Sequence, residues 1–299
     1  MGFAAPADTV LISDGGLATE LQARGHDISD ALWSARLLVD APQEIVAVHH
    51  EFFRAGAAIA TTASYQASFD GFAARGFGRA DAAALLRRSV ELARIAGAEV
   101  GGEPRWVAAS IGPYGAALAD GSEYRGRYGL SVAELAAWHR PRLEVLAGAQ
   151  PDVLALETVP DIDEAEALVG LVRRVGVPAW LSYTIDGSHT RAGQSLADAF
   201  AVAAGVPEIV AVGVNCCAPG DVLSAIELAR TVTGKPVIVY PNSGQRWDSG
   251  SRAWVGPPLF SAQLVPRWAA AGARIVGGCC CVRPADIAKV ARATRPAPA

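Results

Sequence analysis

The chain alternates between short apolar runs rich in Val, Ile, Ala and Leu and longer stretches of amphipathic character. This alternation is typical of a parallel sheet covered by helices. It predicts eight strands, at Val10–Ser13, Ala58–Thr62, Trp106–Ser110, Val153–Glu157, Ala179–Tyr183, Val210–Asn215, Pro236–Tyr240 and Arg274–Gly278. It predicts helices between them, at Pro42–Ala55, Ala80–Ala98, Val132–Leu146, Asp163–Val175, Leu196–Ala203, Val222–Arg230 and Phe260–Ala271.

Eight strands that alternate with helices favour a closed barrel over an open, doubly wound sheet. The open sheet usually has fewer strands and a glycine-rich first turn that cradles phosphate, and the Asp14-Gly15-Gly16 turn lacks that fingerprint. A chain of 299 residues is within the size of one barrel. We therefore expect a single α/β domain over residues 1–299, a (β/α)8 TIM-type barrel, with a frayed Pro/Ala tail at 295–299.

Composition narrows the class of partner. Hydrophobic residues make up 51% of the chain and charged residues 19%, which suits a large buried core. The net charge is −4 and the Lys and Arg residues are dispersed, so no patch indicates nucleic acid or an anionic membrane. We find neither a signal-peptide pattern nor an apolar run of about 18 residues. We expect a cytoplasmic protein with small-molecule substrates, as a monomer or weak homo-oligomer.

The five cysteines form two clusters, Cys216-Cys217 and Cys279-Cys280-Cys281. Adjacent cysteines in odd number, without a secretion signal, indicate a metal or redox site rather than a disulfide framework. The clusters follow predicted strands six and eight, which are near neighbours around a closed barrel. Three thiolates leave the open fourth position of a catalytic zinc, whereas a structural zinc is closed by a fourth ligand. Spacing alone does not decide which three cysteines bind.

Polar residues also stand at other predicted strand ends, where barrel enzymes carry their reactive groups. They are Asp14, Thr61-Thr62, Glu157-Thr158 and Asn215. These ends converge on one mouth of the barrel, and turn or helix capping is the ordinary explanation of Asp14 and Glu157. Pocket lining and ordinary turn hydrogen bonding explain Thr61 equally well.

Seven motifs are spread over nearly the whole chain. They are Asp14-Gly15-Gly16 with Thr19-Glu20, Leu32-Trp33-Ser34, Thr61-Thr62 with Ser64-Tyr65-Gln66, Glu157-Thr158, Gly213-Val214-Asn215-Cys216, Tyr240-Pro241-Asn242-Ser243-Gly244 and Gly277-Gly278-Cys279-Cys280. Together they resemble the homocysteine S-methyltransferase family. The Asn-Cys and Gly-Gly-Cys-Cys motifs are specific only in combination.

The resemblance implies a zinc-dependent enzyme that methylates the thiol of L-homocysteine and gives methionine. The zinc ligands that it implies are Cys216, Cys279 and Cys280. Cys217 and Cys281 are then bystanders, at positions where family members commonly carry other residues. The substrate-binding residues that it implies are Asp14, Gly15, Thr61, Glu157 and Asn215, with the two carboxylates around the homocysteine amino group.

The resemblance indicates the methyl donor less directly than it indicates the acceptor. The chain resembles the short members that use S-methylmethionine or S-adenosylmethionine, since betaine-using relatives carry an extra carboxyl-terminal arm and folate-using enzymes carry further domains. Trp33, Tyr65, Tyr114 and Trp247 can face a cationic donor, although core packing explains any one of them. The alternatives are a related thiol or selenol acceptor, and a non-enzymatic zinc or thiol-redox protein.

Overall fold

Eight parallel strands form the centre of the molecule. The computed structural model describes residues 3–28, 32–248 and 253–294, and it describes side chains outside 246–254. The strands are β1 (Leu11–Ile12), β2 (Ile59–Thr61), β3 (Trp106–Ile111), β4 (Val153–Val159), β5 (Ala179–Tyr183), β6 (Ile209–Asn215), β7 (Val237–Tyr240) and β8 (Ala273–Val276). All eight predicted strands are confirmed, and only their ends differ.

The sheet closes on itself. The hydrogen-bonded order is β1-β8-β7-β6-β5-β4-β3-β2, and every pairing is parallel. A parallel bridge between Ser13 and Ile59, with a 2.7 Å bond from Ala58 N–H to the Ile12 carbonyl, joins β1 to β2. The predicted (β/α)8 TIM-type barrel is therefore confirmed.

Helices follow the strands and cover the outside of the barrel. They are α1 (Leu17–Ala23), α2 (Leu37–Asp40), α3 (Pro42–Arg54), α4 (Phe69–Ala74), α5 (Arg79–Val100), α6 (Tyr114–Leu118), α7 (Val132–Gly148), α8 (Ile162–Val172), α9 (Leu196–Ala201), α10 (Val222–Thr233), α11 (Val265–Ala271) and α12 (Pro284–Ala293). Short helices such as α1, α4 and α6 were not predicted, because one or two turns give too little periodicity. Helix α11 begins later than predicted, after a separate 3₁₀ turn at Ala262–Leu264.

The barrel is packed from both sides. One core lies between the strands and the helices, and a second fills the barrel interior with residues such as Val153, Ala155 and Ile275. Phe3 lies across the amino-terminal end of the barrel, with its ring centroid 5.6 Å from that of Trp106. This end is therefore closed by apolar side chains, and the carboxyl ends of the strands remain for polar ones.

The frayed tail predicted at 295–299 lies outside the described residues. Within the ranges that are described, none of the helices has the length and apolar character needed to span a bilayer.

Candidate active site

The loops after β1 and β8 are bonded to each other across the closure of the barrel. Gly16 N–H donates to the Val282 carbonyl at 3.0 Å, and Gly278 N–H donates to the Asp14 carbonyl at 2.9 Å. A Cβ atom on Gly16 would lie 2.6 Å from the Cys279 carbonyl oxygen, closer than real Cβ contacts allow. Glycine is therefore needed for the carboxylate loop to pack against the cysteine loop.

Gly15 has the same packing role, because a Cβ there would overlap the Val282 carbonyl. Contact between Gly15 and a substrate stays a prediction. Neither Gly277 nor Gly278, which precede the second cysteine cluster, has a positive φ. The left-handed backbone falls on the cysteines instead, with φ 48° at Cys216 and 62° at Cys281.

Asp14 is a buried carboxylate fixed by hydrogen bonds, with 3% of its surface exposed. The backbone N–H of Thr61 donates to it at 2.7 Å, the Thr61 hydroxyl at 3.0 Å and the Ser13 hydroxyl at 3.3 Å. Burial raises the pKa of Asp14 to about 7, the Thr61 bonds lower it, and the negative charge of Glu157 raises it further. The structure thus uses Thr61 to orient Asp14.

Glu157 is the second buried carboxylate, near the end of β4. It accepts a hydrogen bond from the hydroxyl of Ser110, near the end of β3. Burial raises its pKa to about 7, although the hydroxyls of Ser110 and of Tyr240, at the end of β7, lower it. The charge of Glu157 contributes to the raised pKa of Asp14, and a pair of desolvated carboxylates of this kind is chemically suited to a cation.

The sequence did not lead us to predict Ser110 and Tyr240 as site residues. Both stand at the end of a predicted strand, so the rule that identified Glu157 also applied to them. Trp180 Nε1 donates to the Tyr240 hydroxyl oxygen at 3.0 Å.

Three of the five cysteines converge beside the carboxylates. The sulfur atoms of Cys216, Cys279 and Cys280 all lie within 4.8 Å of one another. The structure pairs Cys216 and Cys279 as a disulfide with Cα atoms 5.6 Å apart. Cys217 and Cys281, the predicted bystanders, are outside this group.

The cluster suits a metal ion by its donor set. Sulfur ligands about 2.3 Å from a tetrahedral zinc lie about 3.8 Å apart, which is compatible with the observed limit. All three thiols must be reduced and deprotonated to bind an ion together, so the disulfide and the metal are alternative uses of Cys216 and Cys279.

Asn215 lies at the end of β6, immediately before Cys216, and is completely buried. Its side-chain oxygen accepts bonds from Thr158 N–H and from the Ser182 hydroxyl, both at 2.7 Å. Its side-chain nitrogen donates to the Thr158 hydroxyl at 2.7 Å. These partners all belong to the protein, so a direct contact with substrate stays a prediction.

The four aromatic residues predicted to face a cationic donor have different surroundings. The ring centroids of Trp33 and Tyr65 lie 6.0 Å apart in an edge arrangement. Trp33 begins the 3₁₀ turn before α2, and Tyr65 lies on the loop after β2. Tyr114 packs against Trp138, with centroids 4.9 Å apart. The side chain of Trp247 lies outside the described residues.

The fold and this arrangement define a class of protein, a barrel enzyme whose carboxyl-terminal mouth combines a three-thiol centre with two carboxylates. Comparison with known proteins identifies the family within this class. The model of the family described as homocysteine S-methyltransferase matches residues 11–294. The homocysteine S-methyltransferase of Escherichia coli strain K12 is 48% identical over 289 residues, or 93% of each chain.

Two further relatives agree. Homocysteine S-methyltransferase 4 of Zea mays is 44% identical and covers 99% of this chain and 92% of its own. The crystal structure of the Escherichia coli homocysteine methyltransferase MmuM in its metallated form has a TM-score of 0.84 and 46% identity, covering 95% and 96% of the two chains. The present chain is a methyltransferase, and it belongs to the homocysteine S-methyltransferase family.

Proposed function

We propose that this enzyme transfers a methyl group from a sulfonium donor, S-methylmethionine or S-adenosylmethionine, to the thiol of L-homocysteine and produces methionine. The observation that carries the proposal is the three-thiol cluster beside two buried carboxylates at one barrel mouth. Homocysteine has a matching pair of groups, a thiol at one end and an ammonium at the other.

We assign the metal of this site as zinc, held by Cys216, Cys279 and Cys280. Thiolate sulfur is a ligand that zinc prefers, and three protein ligands are typical of its catalytic sites. Zinc bound there would lower the pKa of a thiol in its open position and so supply a thiolate at neutral pH. The protein contributes the three sulfurs and the packed loops that hold them together.

Asp14 and Glu157 bind the ammonium group of homocysteine in this proposal. Each carboxylate is already oriented by hydroxyl or backbone donors, so little freedom is lost when a cation arrives. An ammonium between them compensates two buried carboxylates for which no ion-pair partner is found among the described residues. Binding therefore anchors one end of the substrate and directs its sulfur toward the cysteines.

The transfer is a direct displacement. The acceptor gives up its thiol proton to solvent, its sulfur forms a bond to the methyl carbon, and the bond from that carbon to the donor sulfur breaks. The electron pair of the broken bond stays on the donor sulfur, so a positively charged sulfonium leaves as a neutral thioether. Trp33 and Tyr65 provide aromatic faces suited to the cationic donor.

We propose the cytoplasm as the compartment. A centre that needs three reduced cysteines is maintained by the thiol-reducing systems of that compartment. Both substrates are small molecules.

The test is turnover measured together with metal content. The protein is purified with zinc under reducing conditions, and methionine formed from homocysteine is measured with S-methylmethionine, S-adenosylmethionine and betaine as separate donors. We expect one zinc per chain and turnover with a sulfonium. Turnover with betaine alone would contradict the donor class, and full turnover in metal-free protein would contradict the role of zinc.

A further inference from the structure

The Asn215 side chain connects three adjacent strands at the barrel mouth. It projects from β6, and its bonds reach Ser182 on β5 and Thr158 on β4. Its oxygen accepts from both strands at once, so neither strand can shift relative to β6 without breaking a bond. The carboxamide is suited to this because it combines an acceptor for two donors with a donor of its own.

The bond to Thr158 occurs where the sheet is irregular. The pairing of β4 with β5 shifts register between Leu156 and Val159. Thr158 lies within this interval with φ 58°, a conformation that is rare for a β-branched residue. The Asn215 oxygen accepts the Thr158 N–H, a donor that would otherwise be buried and unpaired. Bulges of this kind re-aim side chains beside active sites.

The residues next to this connection carry the two ends of the substrate site. Glu157 precedes Thr158, and Cys216 follows Asn215. Cys216 itself has φ 48°, and its carbonyl accepts from the Thr184 hydroxyl at 3.2 Å. The Asn215 amide therefore ties the carboxylate that receives the ammonium to the cysteine beside which the acceptor sulfur binds.

We propose that Asn215 is a positioning residue that fixes the span between Glu157 and Cys216 and thereby selects homocysteine over cysteine. The inference rests on the proposed function. Cysteine carries the same ammonium and thiol but is one methylene shorter, so it cannot reach both ends of a rigid site. A difference of one methylene is worth about 10- to 200-fold when a site is rigid enough to detect it.

The test compares the affinities of the two amino acids. Dissociation constants of homocysteine and cysteine are measured by calorimetry on zinc-loaded, reduced protein, and zinc per chain is determined on each sample. We expect the ratio of the cysteine constant to the homocysteine constant to fall about tenfold in Asn215→Ala, mainly because homocysteine binds more weakly. Zinc content is expected to stay at one per chain.

Asn242→Ala is the matched control. Asn242 also holds a cysteine of the cluster, since its side-chain oxygen accepts from Cys280 N–H at 3.1 Å, and its bond joins the β7 loop to the β8 loop. The same substitution there perturbs the thiol centre and leaves the connection to Glu157 intact. We expect the affinity ratio to stay at the wild-type value.

An equal loss of affinity for both amino acids in folded Asn215→Ala would overturn the proposal, because a general structural defect does not discriminate by length. Ser182→Ala removes one of the three bonds and decides the matter if Asn215→Ala does not fold. A fall of about threefold in its ratio supports the proposal, and an unchanged ratio overturns it. Wild-type protein that binds both amino acids without forming methionine would refute the proposed function separately.

Discussion

The two ends of the barrel are built from the same strands and differ in almost every physical respect. At the amino-terminal end, Phe3, Trp106 and Trp180 pack ring against ring, with Trp180 fully buried. At the carboxyl-terminal end, buried polar side chains bond to partners on other strands, as Asn215 does. The first arrangement gains stability from apolar burial, whereas the second gives up some stability to hold charges and thiols in place.

Individual strands show the same division along their length. Strand β4 begins with Val153 in the interior core and carries Glu157 near its other end. Strand β5 begins with Ala179 and Trp180 and carries Ser182 next to its last residue. Substitutions at the two ends should therefore separate stability from catalysis.

The largest effect is expected at the thiol centre. Cys216→Ala should lose zinc and lower kcat/KM by about 1,000-fold or more, equivalent to about 4 kcal/mol of transition-state stabilisation. The melting temperature of the reduced, metal-free protein should change little. Cys217→Ala is the matched control, because that cysteine is equally buried and outside the cluster. A Cys216→Ala protein with full zinc content would contradict the assignment.

Phe3→Ala should produce the opposite result at the other end. Removing a buried phenylalanine costs about 3 kcal/mol of unfolding free energy, and denaturant unfolding measures it. The KM for homocysteine and kcat of the remaining folded protein should equal those of wild type. Phe3→Leu, which keeps most of the volume, should show a smaller loss. A change in KM would show that the two ends are coupled.

Glu157→Gln should weaken substrate binding without weakening the fold. The amide keeps the shape of the carboxyl and its oxygen can still accept from Ser110, but it has no charge for an ammonium. We expect the KM for homocysteine to rise about 30-fold, equivalent to about 2 kcal/mol. Zinc content and the melting temperature should not fall. A lowered melting temperature with unchanged KM would make Glu157 a structural residue.

The hydrophobic pattern was sufficient to predict the barrel, because each strand is a short apolar run and runs such as Ala179–Tyr183 coincide with the observed strand. It also indicated Asp14, Glu157 and the cysteines as residues at strand ends. Position along a strand is a local property, and so a sequence reports it directly.

The partners of those residues could not be predicted in the same way. Thr61 orients Asp14 across 47 positions of sequence, and Asn215 contacts Thr158 across 57, in directions that depend on the closed sheet. The left-handed backbone at Thr158 and Cys216 could not be anticipated either, since neither residue type favours it. Tertiary hydrogen bonds impose these conformations, so local propensities do not predict them.

Ligand binding at the mouth should also depend on pH. Methionine, the proposed product, has the same ammonium as homocysteine but no titrating thiol, so its affinity reports the carboxylates alone. Burial raises the pKa of both Asp14 and Glu157 to about 7, which favours their protonated forms below that pH. An ammonium binds the ionised forms, so affinity should be full above pH 7 and lost as the pH falls through it.

The slope of this dependence counts the carboxylates. When one carboxylate must ionise, the dissociation constant of methionine rises up to tenfold for each unit below pH 7, and it rises more steeply when two must ionise. Calorimetry between pH 5 and pH 8 measures the slope. Glu157→Gln should make it shallower, because Asp14 alone then titrates and no longer has the Glu157 charge beside it. An affinity independent of pH in wild type would show that the ammonium binds elsewhere. The two buried carboxylates would then have a structural role, in holding the loops at the barrel mouth.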